Sequence, residues 1–260
     1  MRSPVRRLIA KLGNWQDRIN SFRDQRDLRL FRRTTVPRDF PNLRFLSPTR
    51  ALEVELRHGP DREPETRQWV EAISNPESAV LWDVGANVGQ YTIFAAKRGI
   101  RVVAIEPMPH NLMLLVHNIS LNGIEDRVIV LPLAIAEQTS PSRMQLSSVH
   151  FGSARHAFGA GPLESQARVI QSGLGFGLSG VRIDDASNSL RLPPPTHLRV
   201  DIDGHDDDAV FGAEGILPGV HGICCEAKFE KARVEKLISF LAKEGFRVTH
   251  MSRRNIFFSR

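Results

Sequence analysis

The pattern of hydrophobic and polar positions changes at residue 79. From there on, short apolar runs typical of buried strands alternate with segments whose apolar residues recur every three or four positions, as on one face of a helix. The expected strands are residues 79–84, 101–105, 128–136, 197–202, 223–228, 246–250 and 255–258, and the expected helices are residues 88–98, 108–122, 206–213 and 230–244. Such alternation is typical of a parallel sheet with helices on both faces, while the last two strands form a hairpin. The pattern therefore predicts an α/β fold with a mostly parallel seven-stranded sheet and a C-terminal antiparallel hairpin.

Residues 137–192 interrupt this alternation. The segment is rich in glycine, serine and proline, and only residues 144–149 and 180–183 have the character of strands. A stretch of this length inside a compact domain usually carries function or is mobile. We expect an insertion or lid that faces the acceptor substrate; an excursion without function is the alternative.

The first 65 residues differ from the rest of the chain. Residues 1–33 place a stripe of apolar side chains at helical spacing between basic faces: Leu8, Leu12, Trp15, Ile19 and Phe22. Such a helix could dock on the domain or on a twin subunit, or lie on anionic lipid or another polyanion, and a disordered tail is the third reading. Residues 34–65 contain five prolines and read as an irregular connector with short strands, followed by a helix at residues 66–75. We therefore divide the chain into a leader and connector, residues 1–65, and one domain, residues 66–260.

Charge is concentrated in the leader. The chain carries a net charge of +6, but residues 1–33 alone hold ten basic and three acidic residues, so the remainder is close to neutral. The high isoelectric point therefore says nothing about a site in the domain. No run reaches the roughly 18 apolar residues of a membrane helix, and the basic N-terminus lacks the apolar core of a secretory signal. These features predict a cytoplasmic protein, with membrane association through the leader as an open alternative. The neighbouring Cys224 and Cys225 lie in a predicted strand and read as buried, reduced thiols.

A glycine turn follows the first strand of the domain and opens the next helix. In Asp83-Val-Gly85-Ala-Asn87-Val-Gly89, glycine at the strand exit allows a sharp turn and the close approach of a ligand. A dinucleotide site would have glycine where Asn87 stands, and the acidic Asp83 suits an ammonium group better than a phosphate. A tight turn without a ligand is the alternative.

Glu106 ends the next strand, 21 residues after Gly85. A carboxylate at this point can accept hydrogen bonds from both hydroxyls of a ribose. The glycine turn and the acidic strand end together favour an adenosine ligand that carries an amino group, such as S-adenosylmethionine. A solvated charge at a strand end is the alternative for Glu106 alone.

Four blocks of the sequence resemble FkbM-type methyltransferases. Residues 83–92, DVGANVGQYT, resemble the family's glycine motif, and residues 106–123, EPMPHNLMLLVHNISLNG, resemble its next block. Residues 198–205, LRVDIDGH, are similar to the block usually written Lys-x-Asp-x-Glu-Gly. The closing strands of the family are matched by residues 225–226, 245–246 and 255–258. The resemblance covers roughly residues 66–260 and leaves out the leader.

The resemblance implies a Rossmann-like class I methyltransferase fold that uses S-adenosylmethionine to methylate a hydroxyl oxygen, often of a sugar or natural product. It assigns the methionine half of the cofactor to Asp83, Gly85, Asn87 and Gly89, the ribose to Glu106, and the region near ribose and adenine to Asn111 and Ala134. Two positions depart from the family pattern: Arg199 replaces a lysine, and Asp203 replaces a glutamate. The shorter Asp203 could reach a ligand through a water molecule where a glutamate would contact it directly.

Methyl transfer to a neutral alcohol requires a base that accepts the hydroxyl proton. The candidates are Asp201, Asp203 and His205, at the end of the predicted strand 197–202. Residues 201 and 203 of a strand point to the same side, and two facing carboxylates raise the pKa of one of them. They could serve as base and orienter, bind a divalent cation that acidifies the hydroxyl, or cap the following helix. Glu226, at the next strand end, is expected either to contact the substrate or to pair with Arg199.

Three other functions share parts of this pattern. A nicotinamide dehydrogenase would require the Gly-x-Gly-x-x-Gly spacing that this turn lacks. A nucleic-acid methyltransferase would use the basic leader to bind its substrate, and a non-catalytic protein would bind adenosine without turnover. The sequence also lacks the Asn/Asp-Pro-Pro-aromatic tetrapeptide that grips planar amines. We therefore expect a small-molecule or carbohydrate acceptor rather than a nucleic acid.

Overall fold

The computed structural model describes residues 33–154, 156–159, 174–227 and 230–260. The predicted leader helix lies outside these residues, together with its expected contact with a subunit or a membrane. Within the described part of the chain, no helix is both long enough and apolar enough to span a bilayer.

The described residues form thirteen strands and seven α-helices. The strands are β1 Thr34–Thr35, β2 Phe45–Leu46, β3 Val80–Val84, β4 Arg101–Ile105, β5 Val128–Leu131, β6 Ala134–Ile135, β7 Ser140–Gln145, β8 Ala157–Phe158, β9 Gly175–Val181, β10 His197–Val200, β11 Gly222–Glu226, β12 Arg247–Met251 and β13 Asn255–Ser259. The helices are α1 Arg50–Leu56, α2 Pro64–Glu71, α3 Gln90–Lys97, α4 Pro109–Asn122, α5 Ile183–Leu190, α6 Asp206–Phe211 and α7 Lys231–Lys243. Two 3₁₀ turns, Gly59–Arg62 and Leu217–Gly219, complete the list.

Seven strands build the central sheet in the order β12-β13-β11-β10-β3-β4-β5. The five strands from β11 to β5 are parallel, and β13 runs antiparallel to both of its neighbours. The strand order reverses between β3 and β10, which is the switch point of a Rossmann-like sheet. The predicted α/β fold, with its seven-stranded sheet and closing hairpin, is confirmed.

Both faces of the sheet are covered, and this explains why its inner strands read as continuous apolar runs. Successive residues of β3 enter different cores: Leu81 packs with α3 and α4, whereas Trp82 packs with α6 and α7. Every residue of β3 is buried, including Asp83. Cys224 and Cys225 are buried in β11, as predicted, and burial raises the pKa of Cys224 to about 12.

The start and end of α4 show why the helices lie where they do. Pro109 lies in the first turn of α4, where backbone N–H groups have no partner within the helix, so the N–H that proline lacks costs no hydrogen bond. Gly123 closes the helix in the left-handed conformation, at φ +61°.

The connector is more regular than predicted, because its last helix begins at Pro64 and α1 precedes it. The same preference for proline in a first turn explains the earlier start.

Part of the segment at residues 137–192 forms a second sheet together with β6, in the order β6-β9-β7-β8. The single strand predicted at residues 128–136 is therefore wrong: β5 ends at Leu131, and β6 pairs with β9 in the second sheet. Helix α5 was not predicted, because only Ile183 and Ala186 of its eight residues are buried and its apolar stripe is short. The second sheet stands beside the carboxyl ends of the central strands.

Candidate functional site

A cavity of about 850 Å³ opens at the carboxyl ends of β3, β4 and β10. This is the edge of an open α/β sheet where ligands bind, next to the point where the strand order reverses. Its walls come from the turn after β3, the end of β4, the loop after β10 and the second sheet. The volume lies in the range of sites that enclose a cofactor or a small substrate.

The turn after β3 has a backbone that only certain residues adopt. Gly85, Asn87 and Gly89 all have positive φ, at +85°, +51° and +93°. A Cβ on Gly85 would collide with the carbonyl oxygen of Asp201, so the turn packs directly on the chain that leaves β10. A Cβ on Gly89 would lie 2.6 Å from Leu115 Cδ1, so this glycine lets α3 pack on α4. Gly85 and Asn87 line the cavity, whereas Gly89 is not among the described lining residues.

Asp83 lies beneath this turn and supports it. Its side chain is fully buried, and it accepts hydrogen bonds from Thr92 Oγ1 at 2.6 Å and Arg199 Nη1 at 2.7 Å. Among the described residues, the cavity wall does not include Asp83. The structure thus places Asp83 behind the residues that face a ligand.

Glu106 ends β4 at the wall of the cavity. Its two carboxylate oxygens accept hydrogen bonds from the backbone N–H groups of Asn87 and Met108, both at 2.8 Å. Burial raises the pKa of Glu106 to about 7, although these two bonds favour the ionised form. The Asn111 side chain also favours the ionised form, and because a carboxylate has about four acceptor sites, Glu106 keeps acceptor capacity for ligand hydroxyls.

Asn87 supplies a second acceptor in the same wall. Its side-chain Nδ2 donates to the Gly152 carbonyl at 3.4 Å, whereas its buried Oδ1 has no hydrogen-bond partner among the described residues. A buried acceptor without a donor destabilises the protein, and a ligand donor would remove that penalty. Asn87 Oδ1 and the Glu106 carboxylate both accept hydrogen bonds, so they suit hydroxyl and ammonium groups rather than a phosphate. The residues present therefore fit S-adenosylmethionine.

Asn111 holds a loop of the cavity wall in place through two hydrogen bonds. Its Oδ1 accepts from the Gly152 N–H at 2.8 Å, and its Nδ2 donates to the Ser153 carbonyl at 2.9 Å. Ala134 is buried in β6 and also lines the cavity. Both residues line the cavity, and their roles near a ribose and an adenine stay predictions.

After β10 the chain leaves the central sheet earlier than predicted. Strand β10 ends at Val200, and Asp203 has a left-handed backbone with φ +58°. The expectation that Asp201 and Asp203 share one face of a strand is therefore wrong. The physical reason is Asp206, whose carboxylate accepts the N–H groups of residues 202 and 204, both at 3.0 Å, and folds the loop.

Arg199 connects this loop to the glycine turn. Its buried guanidinium donates to Asp83 at 2.7 Å and to Asp201 at 2.6 Å, and it stacks on the Tyr91 ring at 4.4 Å. Arg199 thus forms ion pairs with these two aspartates. Glu226, for which such a pair was one expectation, is buried at the end of β11 and lines the cavity.

Three carboxylates meet below the loop. Oxygen atoms of Asp201, Asp206 and Glu226 all lie within 4.8 Å of one another. Burial, followed by the charge of Asp201, raises the pKa of Asp206 well above its usual value. The sequence predicted that Asp201 interacts with Asp203, whereas the structure groups Asp201 with Asp206 and Glu226.

His205 and Asp208 form a second pair at the cavity wall. The Nδ1 atom of His205 lies 3.0 Å from Asp208 Oδ2, and this hydrogen bond holds the pKa of Asp208 below its usual value. An ionised carboxylate only accepts hydrogen bonds, so Nδ1 donates in this bond. In the tautomer that the bond selects, the ring lone pair lies on Nε2. Sequence reasoning missed Asp208. The signal was its spacing of three residues from His205 at the start of a helix.

Comparisons with known proteins point the same way. The family model described as the TRM5/TYW2 methyltransferase domain matches residues 60–145. The chain is 28% identical over 182 residues to the hexuronic acid methyltransferase AglP of Haloferax volcanii, which covers 68% of each chain.

Solved structures resemble the chain more distantly. Precorrin-6y C5,15-methyltransferase from Geobacter metallireducens is 13% identical, with a TM-score of 0.44, over 75% of this chain and 87% of that one. Ribosomal protein L11 methylase from Lactobacillus delbrueckii is 14% identical, with a TM-score of 0.44, over 78% and 80%. Likeness at this level says nothing about the site, and the fold assignment rests on the strand order.

The sequence matches, the strand order and the acceptor groups of the cavity agree with one another. The protein is an S-adenosylmethionine-dependent methyltransferase.

Proposed function

We propose that the protein methylates a hydroxyl oxygen of a carbohydrate and that it belongs to the FkbM-type methyltransferases. The observation that carries this proposal is the His205–Asp208 pair, which lies in the same cavity as Glu106 and Asn87. A base next to a cofactor site is what an unactivated hydroxyl needs. The printed activity of the Haloferax volcanii relative, on a hexuronic acid, supports a sugar acceptor.

Cofactor binding is proposed to use the side of the cavity around β3 and β4. Glu106 accepts hydrogen bonds from the ribose hydroxyls, and Asn87 Oδ1 accepts one from the methionine half, beside the turn at Gly85. Asn111 and Ala134 enclose the adenosine, while Asp83 and Gly89 hold the turn in shape from behind. When bound, S-adenosylmethionine supplies a methyl group that bonds to the acceptor oxygen as its bond to sulfur breaks and leaves the electron pair on sulfur.

His205 is the proposed base. Its Nε2 accepts the proton of the acceptor hydroxyl, while Asp208 keeps Nδ1 protonated and fixes the plane of the ring. Asp201 is held by Arg199 and is less suited to accept a proton, since a guanidinium stabilises its charged form. Asp203 also lines the cavity and is proposed to bind the acceptor.

The direct test follows a labelled methyl group. The purified protein is incubated with S-adenosylmethionine carrying a ¹³C-methyl group and with a phenyl glucuronide, a phenyl glucoside or total RNA. Label is expected as a methyl ether on a sugar, with one S-adenosylhomocysteine formed per transfer. Label on RNA, or no transfer to any sugar, would contradict the proposal.

Two variants test the assigned base. His205→Gln is expected to lower kcat by about 10²- to 10⁴-fold, the usual contribution of general base catalysis, and to leave cofactor affinity unchanged. Asp208→Asn is expected to lower kcat less, because the ring stays in place but loses its fixed tautomer. His250→Gln, at an exposed position of β12, is the matched control. Full activity of His205→Gln would overturn the assignment.

A further inference from the structure

The turn between β12 and β13 brings an arginine to the wall of the cavity. Arg254 lines the cavity, and its backbone is fixed on both sides. Its N–H donates to Ser252 Oγ at 3.2 Å, and its carbonyl accepts from the Ala227 N–H at 2.7 Å. Because Ala227 directly follows β11, this turn is tied to the strand end that also carries Glu226.

The guanidinium of Arg254 is only loosely engaged. In the described part of the chain its ion-pair partner is Glu63, whose Oε1 lies 3.6 Å from Nη1, beyond hydrogen-bond distance. Glu63 has closer donors of its own, since Asn255 Nδ2 and Thr66 Oγ1 lie 3.2 Å and 3.3 Å from its Oε2. The side chain of Arg254 is 49% exposed, so the N–H donors of its planar guanidinium are available to a ligand.

The other two arginines of the cavity wall are committed to the protein. Arg62 pairs with Glu55, and Arg199 is buried between two aspartates. Several carboxylates line the same cavity, among them Glu63, Asp203 and Glu226, and they repel a negatively charged group. An arginine fork matches a carboxylate in two parallel hydrogen bonds.

We infer that Arg254 is a specificity-determining residue that binds the carboxylate of an acidic sugar acceptor. The inference rests on the proposed function and deepens it: Arg254 selects a uronic acid over the neutral sugar of the same shape. Binding the carboxylate at this rim fixes which hydroxyl can reach His205, so the same contact sets the position that is methylated. A neutral sugar loses the contact and leaves the fork solvated.

The experiment compares phenyl glucuronide with phenyl glucoside for the wild-type protein, Arg254→Gln and Arg254→Lys. Arg254→Gln is expected to lower kcat/KM for the glucuronide about 10- to 100-fold, mainly through KM, the usual effect of losing a charged hydrogen bond. Activity on the glucoside should stay within about twofold, and Arg254→Lys should lie between because it keeps charge without the fork. Arg253→Gln, one residue earlier in the same turn, is the matched control. Equal losses on both sugars, or no loss on either, would overturn the inference.

A binding arm separates this inference from the proposed function. The protein is saturated with S-adenosylhomocysteine, and each phenyl glycoside is titrated by calorimetry, so no turnover is needed. If binding of the glucuronide depends on Arg254 but the labelling assay detects no methyl transfer, the proposed function is contradicted and the inference is kept. Equal affinity for the two glycosides in the wild-type protein would overturn the inference even if both are methylated.

Discussion

Lowering the pH from 8 to 6 is expected to weaken the binding of 5′-methylthioadenosine about tenfold, through Glu106. This ligand contains the adenosine half of the cofactor and lacks the amino group, so its own charge does not change in this range. The carboxylate of Glu106 must be ionised to accept both ribose hydroxyls, because a protonated carboxyl donates at one of its oxygens. The ligand therefore binds only the ionised form.

The magnitude follows from the burial of the carboxyl. Desolvation raises the pKa of Glu106 to about 7, so about nine-tenths of the protein is ionised at pH 8 and about one-tenth at pH 6. The apparent dissociation constant is the intrinsic one divided by the competent fraction, which gives about a tenfold change, or about 1.4 kcal/mol. Affinity is full above pH 8 and falls as the pH drops through 7.

Isothermal titration calorimetry between pH 5.5 and 8.5 measures this profile directly. Glu106→Gln should bind weakly and show no pH dependence, and its unfolding curve checks that the buried backbone donors still tolerate the amide. An affinity of the wild-type protein that is flat across this range, or that rises at low pH, would refute the assignment of Glu106 to the ribose.

Three further predictions concern the fold that holds the site. Gly85→Ala should lower the free energy of unfolding by about 2–4 kcal/mol in urea titrations, because φ is +85° and the new Cβ meets a carbonyl. Gly123→Ala, where φ is +61° and the space around the new Cβ is open, should lower it by only about 1 kcal/mol. Equal losses in the two variants would contradict the argument. Asn118→Ala should lose about 2–4 kcal/mol, because the buried amide bonds two backbone groups at 2.7 and 2.8 Å; a loss below about 1 kcal/mol would refute this. Burial lowers the pKa of His197 to about 4. Its contribution to stability is therefore complete above pH 6.5 and is lost as the pH falls through 4. His197→Gln should flatten that part of the pH–stability curve, as measured by thermal unfolding.

The sheet could be predicted from the sequence because its inner strands are buried on both faces. The run at β3 is apolar except for Asp83 and stops at Gly85, so both its length and its end were visible. Glu106 was visible for the same reason, since it is the first charged residue after the apolar run of β4.

The loop after β10 could not be predicted in the same way. Its shape depends on Asp206, a residue that reads as an ordinary helix-start acid, and on backbone bonds back to residues 202 and 204. The role of Arg254 was equally hidden, because a turn at the far end of the chain reaches the cavity only through the pairing of β13 with β11. Sequence spacing predicts contacts within one element, and these contacts join separate ones.

The claim that this cavity binds S-adenosylmethionine can be tested directly by calorimetric titration of the wild-type protein with S-adenosylmethionine, S-adenosylhomocysteine and NADH. Both adenosyl ligands are expected to bind with one site per chain and micromolar affinity, and NADH much more weakly. Asn87→Ala and Glu106→Gln should each weaken the adenosyl ligands at least tenfold. Tighter binding of NADH, or adenosyl binding that neither substitution changes, would contradict the account.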